Sequence, residues 1–181
     1  MNETTFIVPS ELFAAAESSS VSGTYDLPLF KAGPDLYSFS EPLNWQVSIT
    51  NTGGALLVSG TVEGSATTSC ARCMESLTLP ITGEIEGYYL TSTEESSQAE
   101  EMEEDEFEVL GADHLIDFEP LIRAAVLLEC PLVPLCTDEC KGLCSSCGKN
   151  LNEGPCDCAP DPADPVRENP FAALKDYPFS N

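Results

Sequence analysis

Cysteines carry the clearest chemistry in this sequence of 181 residues. Eight of its nine cysteines fall into close pairs along the chain. Four thiolates bind one Zn²⁺ ion tetrahedrally at about 2.3 Å, and a tight C-x2-C turn can place two sulfurs on the same ion. The pairs therefore predict two zinc ions. The predicted ligands are Cys70, Cys73, Cys136 and Cys140 in the first quartet, and Cys144, Cys147, Cys156 and Cys158 in the second.

The lengths of chain between the pairs favour this grouping. Residues 144–158 are few enough to close as a compact knuckle around one ion. A first quartet that includes Cys136 and Cys140 would clip the C-terminal third of the chain onto the N-terminal half. Cys130 is left over, and it could either replace Cys136 as a ligand or be buried as a small apolar residue. We expect burial, because free cysteine is commonly a core residue.

Disulfide bonds are the competing use of cysteine, and they require an oxidising compartment. The first ten residues, MNETTFIVPS, have neither the basic region nor the apolar core of a signal peptide. The sequence also lacks a run of about 18 apolar residues that could span a membrane. We therefore expect a cytoplasmic protein without membrane contact, in which closely spaced thiols are metal ligands.

The composition is strongly acidic, with 31 Asp and Glu against 7 Lys and Arg and a formal net charge of −24. Affinity for nucleic acid comes largely from Lys and Arg that neutralise phosphates, so direct RNA binding without a partner is not expected. The charge favours a basic protein partner instead. Three of the basic residues, Arg72, Lys141 and Lys149, lie in the cysteine loops. We interpret them as offsetting thiolate charge, with a phosphate-binding patch as the alternative.

The elements that must position the cysteines follow from hydrophobic periodicity. Apolar residues alternate with polar ones over 21–29, 43–49, 56–66 and 77–89, which predicts an antiparallel meander with the C-A-R-C loop at a hairpin tip. Residues 9–18 are rich in helix formers and predict a short helix with Ser10 as its N-cap. Residues 118–129 predict the main helix, with Asp117 as its N-cap and Phe118, Leu121, Ile122, Ala125 and Leu128 on its apolar face. Residues 107–110 could add a last strand.

The predicted fold class is α+β, with an antiparallel sheet or partly open barrel packed by one main helix and a zinc-knuckle C-terminal segment. Residues 1–158 would form a single zinc-binding domain with an acidic disordered loop, 92–106, inserted in it. Residues 159–181 would be a linker and a short helix whose Phe171 and Leu174, one turn apart, could bind a partner. The segment that ends at Cys158 has too few apolar residues to fold unaided, so a metal would contribute most there.

Catalytic chemistry is not expected. His114 is the only histidine, and it has no evident nucleophile or orienting partner in the sequence. All-cysteine zinc sites lack the open coordination position that a zinc hydrolase needs. A C-x2-C pair between two strands also differs from a thioredoxin-like pair, which opens a helix. We therefore predict no catalytic residue. Two functional classes stay open, namely a noncatalytic zinc-stabilised interaction protein and a thiol or zinc sensor.

The run PLCTDECKGLCSSCGKNLNEGPCDC, residues 134–158, is preceded by FEPLIRAAVLLE and followed by NPFAAL. Together with the C-A-R-C loop, these segments strongly resemble the bacterial YceD family, and the resemblance covers most of residues 20–176. It implies a role in ribosome biogenesis, in support of the accumulation of large-subunit (23S) ribosomal RNA. In this chain Cys130 replaces an apolar residue, and the C-terminal segment lacks a basic ending. The partner, which we expect to be a basic ribosomal protein or assembly factor, and the oligomeric state are not identified by the sequence.

Overall fold

The computed structural model describes residues 4–91 and 107–158. Within them nine strands and one α-helix are formed. The strands are β1 (Thr5–Ile7), β2 (Ser18–Tyr25), β3 (Leu29–Ala32), β4 (Asp35–Phe39), β5 (Leu43–Asn51), β6 (Ala55–Ser69), β7 (Ser76–Leu90), β8 (Glu108–Val109) and β9 (Leu115–Asp117), and the helix is α1 (Glu119–Glu129). The predicted disordered loop 92–106 and the predicted helix with Phe171 and Leu174 lie outside the described residues.

The main sheet is almost wholly antiparallel. Its strands run in the order β2-β5-β6-β4-β3, and β7 pairs with the other edge of β6. Only the short β8 pairs in parallel, with β7. A separate two-stranded ribbon joins β1 to β9. Within the described residues, strands β2, β3 and β8 each have a single neighbour, so the sheet is open. An antiparallel sheet with one packed helix is consistent with the predicted α+β class.

The long hairpin of β6 and β7 positions the first cysteine pair. Both strands have 15 residues and pair over their full length, from Ala55 opposite Leu90 to Ser69 opposite Ser76. Even-numbered apolar residues of β6, such as Val58 and Val62, are buried, and so is Ile85 of β7, whereas Leu77 and Leu79 nearer the tip are partly buried. The two-residue period therefore fixes the register of the hairpin, and the tip falls at the C-A-R-C loop as predicted.

Helix α1 packs on β7 and closes the core. Its buried residues are Ile122, Ala125 and Val126. A Cβ atom at Gly83 of β7 would lie 2.7 Å from the carbonyl oxygen of Ala125, so glycine permits this close approach of helix to strand. The ring of Phe118, at the start of the helix, lies 5.3 Å from the Trp45 ring, and both side chains are buried.

The start of α1 agrees with the sequence prediction, with a shift of one residue. Phe118 holds the N-cap position, but the Asp117 carboxylate accepts a hydrogen bond from the backbone N–H of Glu119 at 2.9 Å. The predicted apolar face was wrong at Leu128, which is 83% exposed. The helix ends one residue later, at Glu129, and both Leu127 and Leu128 are left exposed in this last turn.

The predicted helix over 9–18 was wrong beyond its first turn. A 3₁₀ turn spans Ser10–Phe13 with Pro9 at its N-cap, and the Ser10 side chain does not cap it. The backbone then pairs with β5, because the Ala16 N–H donates to the Asn51 carbonyl and the Asn51 N–H donates to the Glu17 carbonyl. Tertiary hydrogen bonds thus override the helix propensity of the alanines, which is a weak preference.

The described chain forms two compact units. The first contains the described residues up to Ala71 and Glu75–Cys136, and it holds all the strands and α1. The second contains Arg72–Met74 and the described residues from Thr137 onward, and it holds the second quartet. That residues 1–158 fold as a single domain stays a prediction. In the part of the chain that the structure describes, no helix is long and apolar enough to cross a membrane.

Candidate metal centres

The first quartet gathers cysteines from two distant parts of the sequence. The sulfurs of Cys70, Cys73, Cys136 and Cys140 all lie within 4.8 Å of one another. At the hairpin tip the Cys70 N–H donates to the Glu75 carbonyl at 2.8 Å, and Met74 adopts a positive φ of 62° that turns the chain back. Cys70, Cys73 and Cys140 are buried, whereas Cys136 is exposed.

The second quartet lies in the C-terminal knuckle. The sulfurs of Cys144, Cys147, Cys156 and Cys158 also lie within 4.8 Å of one another. The first half of the knuckle is a tight turn, in which the Cys144 N–H donates to the Lys149 carbonyl and the Gly148 N–H donates back to the Cys144 carbonyl. Gly148 has a φ of +73°, a left-handed conformation that glycine adopts without strain. Cys147 and Cys158 are exposed, so this quartet is far more accessible than the first.

Both quartets have the donor set and spacing of a closed metal site. A tetrahedron with metal–sulfur distances of about 2.3 Å has sulfur–sulfur edges of about 3.8 Å, which is within the observed spread. The sulfurs of Cys144 and Cys156 lie 3.3 Å apart, well beyond the disulfide length of about 2.05 Å. The structure therefore groups the eight cysteines in the two quartets that the sequence predicts, and each quartet could hold a metal ion.

Hydrogen bonds divide the second quartet into easily and poorly ionised thiols. Hydrogen bonds from the backbone N–H groups of Cys147 and Ser146 lower the pKa of the Cys144 thiol to about 6. A hydrogen bond with the side chain of Cys147 raises the pKa of Cys158 to about 12. Hydrogen bonding therefore favours the thiolate form of Cys144 and the neutral thiol form of Cys158. A divalent cation would favour the thiolate form at all four positions.

The basic residues of the cysteine loops contact backbone carbonyls. The Arg72 guanidinium donates to the Cys140 carbonyl at 3.0 Å and to the Asp138 carbonyl at 3.4 Å. The Lys149 ammonium donates to the Pro155 carbonyl at 2.9 Å. Arg72 and Lys149 thus hold the backbone of the cysteine loops, and that they offset thiolate charge stays a prediction.

Sequence reasoning missed Asn152. Its side-chain N–H donates to the Cys140 sulfur at 3.3 Å, and its side-chain oxygen accepts from the Lys141 N–H at 2.8 Å. An asparagine in a polar loop has no spacing signature that would mark it as a partner of a cysteine twelve residues earlier. It could be recognised only once the fold was known.

The remaining singled-out residues lie away from both quartets. Cys130 is 7% exposed and packs in the hydrophobic core, as expected for a cysteine outside the quartets. The His114 ring packs against Phe13, with ring centroids 4.8 Å apart, and its backbone adopts a φ of +53°. The geometry gives His114 a structural contact within the described residues.

Comparison with known proteins identifies the family to which this chain is similar. A sequence model described as large ribosomal RNA subunit accumulation protein YceD matches residues 58–177. An uncharacterized protein of Mycobacterium tuberculosis is 34% identical over 115 residues, which cover 62% of this chain and 53% of that protein. The large ribosomal RNA subunit accumulation protein YCED homolog 1, chloroplastic, of Arabidopsis thaliana is 29% identical over 156 residues, which cover 71% of this chain and 47% of that protein. The chain thus spans about half the length of these relatives. No solved structure matches it significantly.

Proposed function

Because this chain belongs to the YceD family of large ribosomal RNA subunit accumulation proteins, we propose that it is a noncatalytic ribosome-biogenesis factor. In this proposal it supports the accumulation or processing of large-subunit (23S) ribosomal RNA through protein contacts. The observation that carries the proposal is the match over residues 58–177, which includes every cysteine of both quartets. The chloroplastic relative leaves the compartment open, so a cytoplasmic location stays part of the proposal.

The quartets are proposed to hold two structural zinc ions. A site with four cysteine ligands is closed, because no coordination position is left for a substrate or an activated water. Zinc at such a site would contribute folding free energy and fix the surface of the cysteine loops. The residues of this chain would supply ligands at Cys70, Cys73, Cys136 and Cys140, and at Cys144, Cys147, Cys156 and Cys158.

The solvent face of the sheet supports a basic partner. Strands β2, β5, β6 and β7 contain no Lys or Arg, and Glu63, Glu84 and Glu86 are exposed on the face opposite the core. Side chains across the four strands form polar rows, such as Ser22, Gln46, Thr61 and Glu84. A shallow groove of about 370 Å³ over this face has polar side chains and Glu63 in its lining. A Lys- and Arg-rich ribosomal protein or assembly factor would complement that charge.

Two further segments are proposed to contribute to the partner contact. The acidic residues 94–106 would attract a basic partner and raise the association rate. Phe171 and Leu174 would supply apolar anchors, a common way for a short helix to bind a groove. Deleting residues 94–106 should slow association and weaken its salt dependence, whereas Phe171→Ala with Leu174→Ala should speed dissociation.

The test is depletion of the protein in its source organism, with large- and small-subunit ribosomal RNA quantified, and native isolation of its complexes. We expect a selective fall in large-subunit RNA and co-isolation of a basic ribosomal or assembly protein. Complementation with unmodified protein should restore the RNA, and a variant with Cys73→Ser should not. Unchanged large-subunit RNA after depletion would contradict the proposal. Tight binding of purified protein to large-subunit RNA at physiological salt, without any partner, would contradict the protein-contact mechanism.

A second candidate, a thiol or zinc sensor acting as a regulatory zinc-binding adaptor, is favoured by one feature of the second quartet. Cys147 and Cys158 are exposed, and backbone hydrogen bonds hold the pKa of Cys144 at about 6, so a metal-free quartet would be open to oxidants. In the sensor, the exposed quartet would lose zinc and form disulfides under mild peroxide. In the assembly factor, both ions should remain bound under the same treatment.

A further inference from the structure

Asn152 links the loop of the second quartet to a ligand of the first. It lies in the short turn Leu151–Glu153, between Cys147 and Cys156 in the sequence. Its Nδ2 atom donates to the Cys140 sulfur at 3.3 Å, and its Oδ1 atom accepts from the Lys141 N–H at 2.8 Å. One amide side chain therefore holds both the sulfur of Cys140 and the backbone that follows it.

Backbone contacts place the turn where Asn152 can make these bonds. The Leu151 N–H donates to the Gly142 carbonyl at 2.9 Å, and Leu143 and Asn150 form an isolated antiparallel bridge. The Asn150 side-chain oxygen accepts from the Asn152 N–H at 3.0 Å. The position of the Asn152 amide is therefore set by the path of the chain between Cys147 and Cys156.

A metal at the second quartet would fix that path. From Thr137 to Cys158 only Cys140 and Gly142 are buried, so apolar packing contributes little to ordering the loop. Ordering costs about 1–2 kcal/mol of backbone entropy per residue, which a metal bound by Cys147 and Cys156 would offset. The ordered Asn152 can then donate to the Cys140 thiolate. Such a donor stabilises the negative charge and orients the ligand for its own metal.

We propose that Asn152 couples the two quartets, so that metal binding at the second quartet raises the metal affinity of the quartet that contains Cys140. The proposal rests on the proposed zinc sites. Because coupling between two binding equilibria is reciprocal, zinc at the first quartet also tightens binding at the second. Metal binding in the knuckle thereby changes metal affinity at the first quartet through one hydrogen-bonded side chain.

The matched substitution is Asn152→Asp. It retains the oxygen that accepts from the Lys141 N–H, but it replaces the donor to the Cys140 sulfur with an oxygen that repels a thiolate. Asn152→Ala removes both hydrogen bonds, and Glu153→Gln changes a charge in the same exposed turn as a control. Stepwise Co²⁺ titration of the full chain, read from the sulfur-to-cobalt absorption, and chelator competition with Zn²⁺ would give the affinity of each quartet.

Removal of a group that hydrogen-bonds a metal ligand typically weakens metal binding by about 10- to 100-fold. We expect that loss at the first quartet in Asn152→Asp and Asn152→Ala, together with a shifted sulfur-to-cobalt band, and no change in Glu153→Gln. Wild-type affinity in Asn152→Asp would overturn the role of the donated hydrogen bond, since a purely structural role survives in that variant.

A double-substitution cycle tests the coupling itself. Cys156→Ser, which disables the second quartet, should weaken the first quartet by about tenfold in the otherwise unmodified chain. The same substitution should have no further effect at the first quartet in the Asn152→Asp background. Independent, additive effects would overturn the coupling while leaving the zinc sites intact. Failure of the unmodified protein to bind any Zn²⁺ or Co²⁺ would instead overturn the zinc sites and the coupling with them.

Discussion

Substituting one ligand in each quartet should have unequal effects on stability. We expect Cys73→Ser to abolish metal binding at the first quartet and to lower the temperature of the main unfolding transition. Cys156→Ser should melt the knuckle and lower that transition by only about 3–6 °C, which corresponds to the tenfold weaker binding expected at the first quartet. The reason lies in the chain that each cross-link closes, because the segment from Cys70 to Cys140 contains β7, α1 and much of the core, whereas the segment from Cys144 to Cys158 is a short loop.

The magnitude follows from loop-closure entropy. A cross-link over about 70 residues, like that between Cys70 and Cys140, removes about 4.4 kcal/mol of unfolded-state entropy by the relation used for disulfides. In a chain of this size, about 1 kcal/mol shifts the melting temperature by about 2–4 °C, so Cys73→Ser should lower it by about 9–18 °C. The loop of about 14 residues between Cys144 and Cys158 has a closure term of about 3.0 kcal/mol. Because that loop contains little of the core, its loss should appear locally.

The assay combines metal analysis with calorimetry and circular dichroism on freshly purified protein. Unmodified protein should contain two zinc ions per chain and each variant one. Cys130→Ala is the matched control, because it removes a buried cysteine that belongs to neither quartet, and it should keep both ions. Equal shifts of the main transition in Cys73→Ser and Cys156→Ser would refute the loop-closure reasoning. One zinc or none in the unmodified protein would refute the two-site assignment.

Three further predictions test the core and the thiols. Gly83→Ala places a Cβ 2.7 Å from the Ala125 carbonyl oxygen and should cost about 1–3 kcal/mol in urea unfolding. Gly87→Ala should cost less, because its Cβ would meet the side chains of Leu121 at 2.8 Å and Tyr89 at 3.2 Å rather than backbone, so equal costs would contradict the packing argument. In metal-free protein at neutral pH, Cys144 should be the fastest cysteine of the second quartet to be alkylated, because its pKa is lowered to about 6. Its alkylation rate should fall as the pH drops below about 6. Mass spectrometry that shows Cys158 reacting equally fast would contradict this prediction. Burial, followed by the charges of Glu108 and Asp117, raises the pKa of Tyr89 from 10.0 to about 12. The neutral phenol should therefore contribute its full stabilisation below pH 10, and this contribution should be lost as the pH rises towards 12. Thermal melts of Tyr89→Phe should lack that loss of stability at alkaline pH.

The sequence predicted best those features that repeat with a short period. Alternation over 56–66 and 77–89 placed the hairpin, its buried face and its C-A-R-C tip correctly, because one face of each strand is buried. Spacing and loop length also predicted which cysteines come together. These patterns are local, so they can be read from the sequence without knowledge of the rest of the fold.

Features set by distant partners could not be predicted. The ribbon of β1 with β9 joins two three-residue strands that are more than 100 residues apart, and neither has a detectable period. The alanines before Glu17 favour a helix, yet hydrogen bonds to Asn51 draw that segment towards β5. Asn152 donates to the Cys140 sulfur from a position twelve residues further along the chain. In each case a tertiary contact outweighs a local preference of a fraction of a kcal/mol per residue.

The two units differ in how much apolar surface they bury, so the two proposed metals would contribute differently to stability. The first unit has a core that includes Trp45, Phe118 and Ile122, so it buries the apolar area that usually stabilises a domain. From Thr137 to Cys158 the chain buries only Cys140 and Gly142, and Cys140 is itself a member of the first quartet. A segment with so little apolar burial cannot offset its own backbone entropy. Its hydrogen-bonded turns contribute part of the missing stabilisation, and bonds to the proposed metal would contribute the rest. If the second quartet binds zinc as proposed, the shape of the knuckle should therefore depend on metal availability.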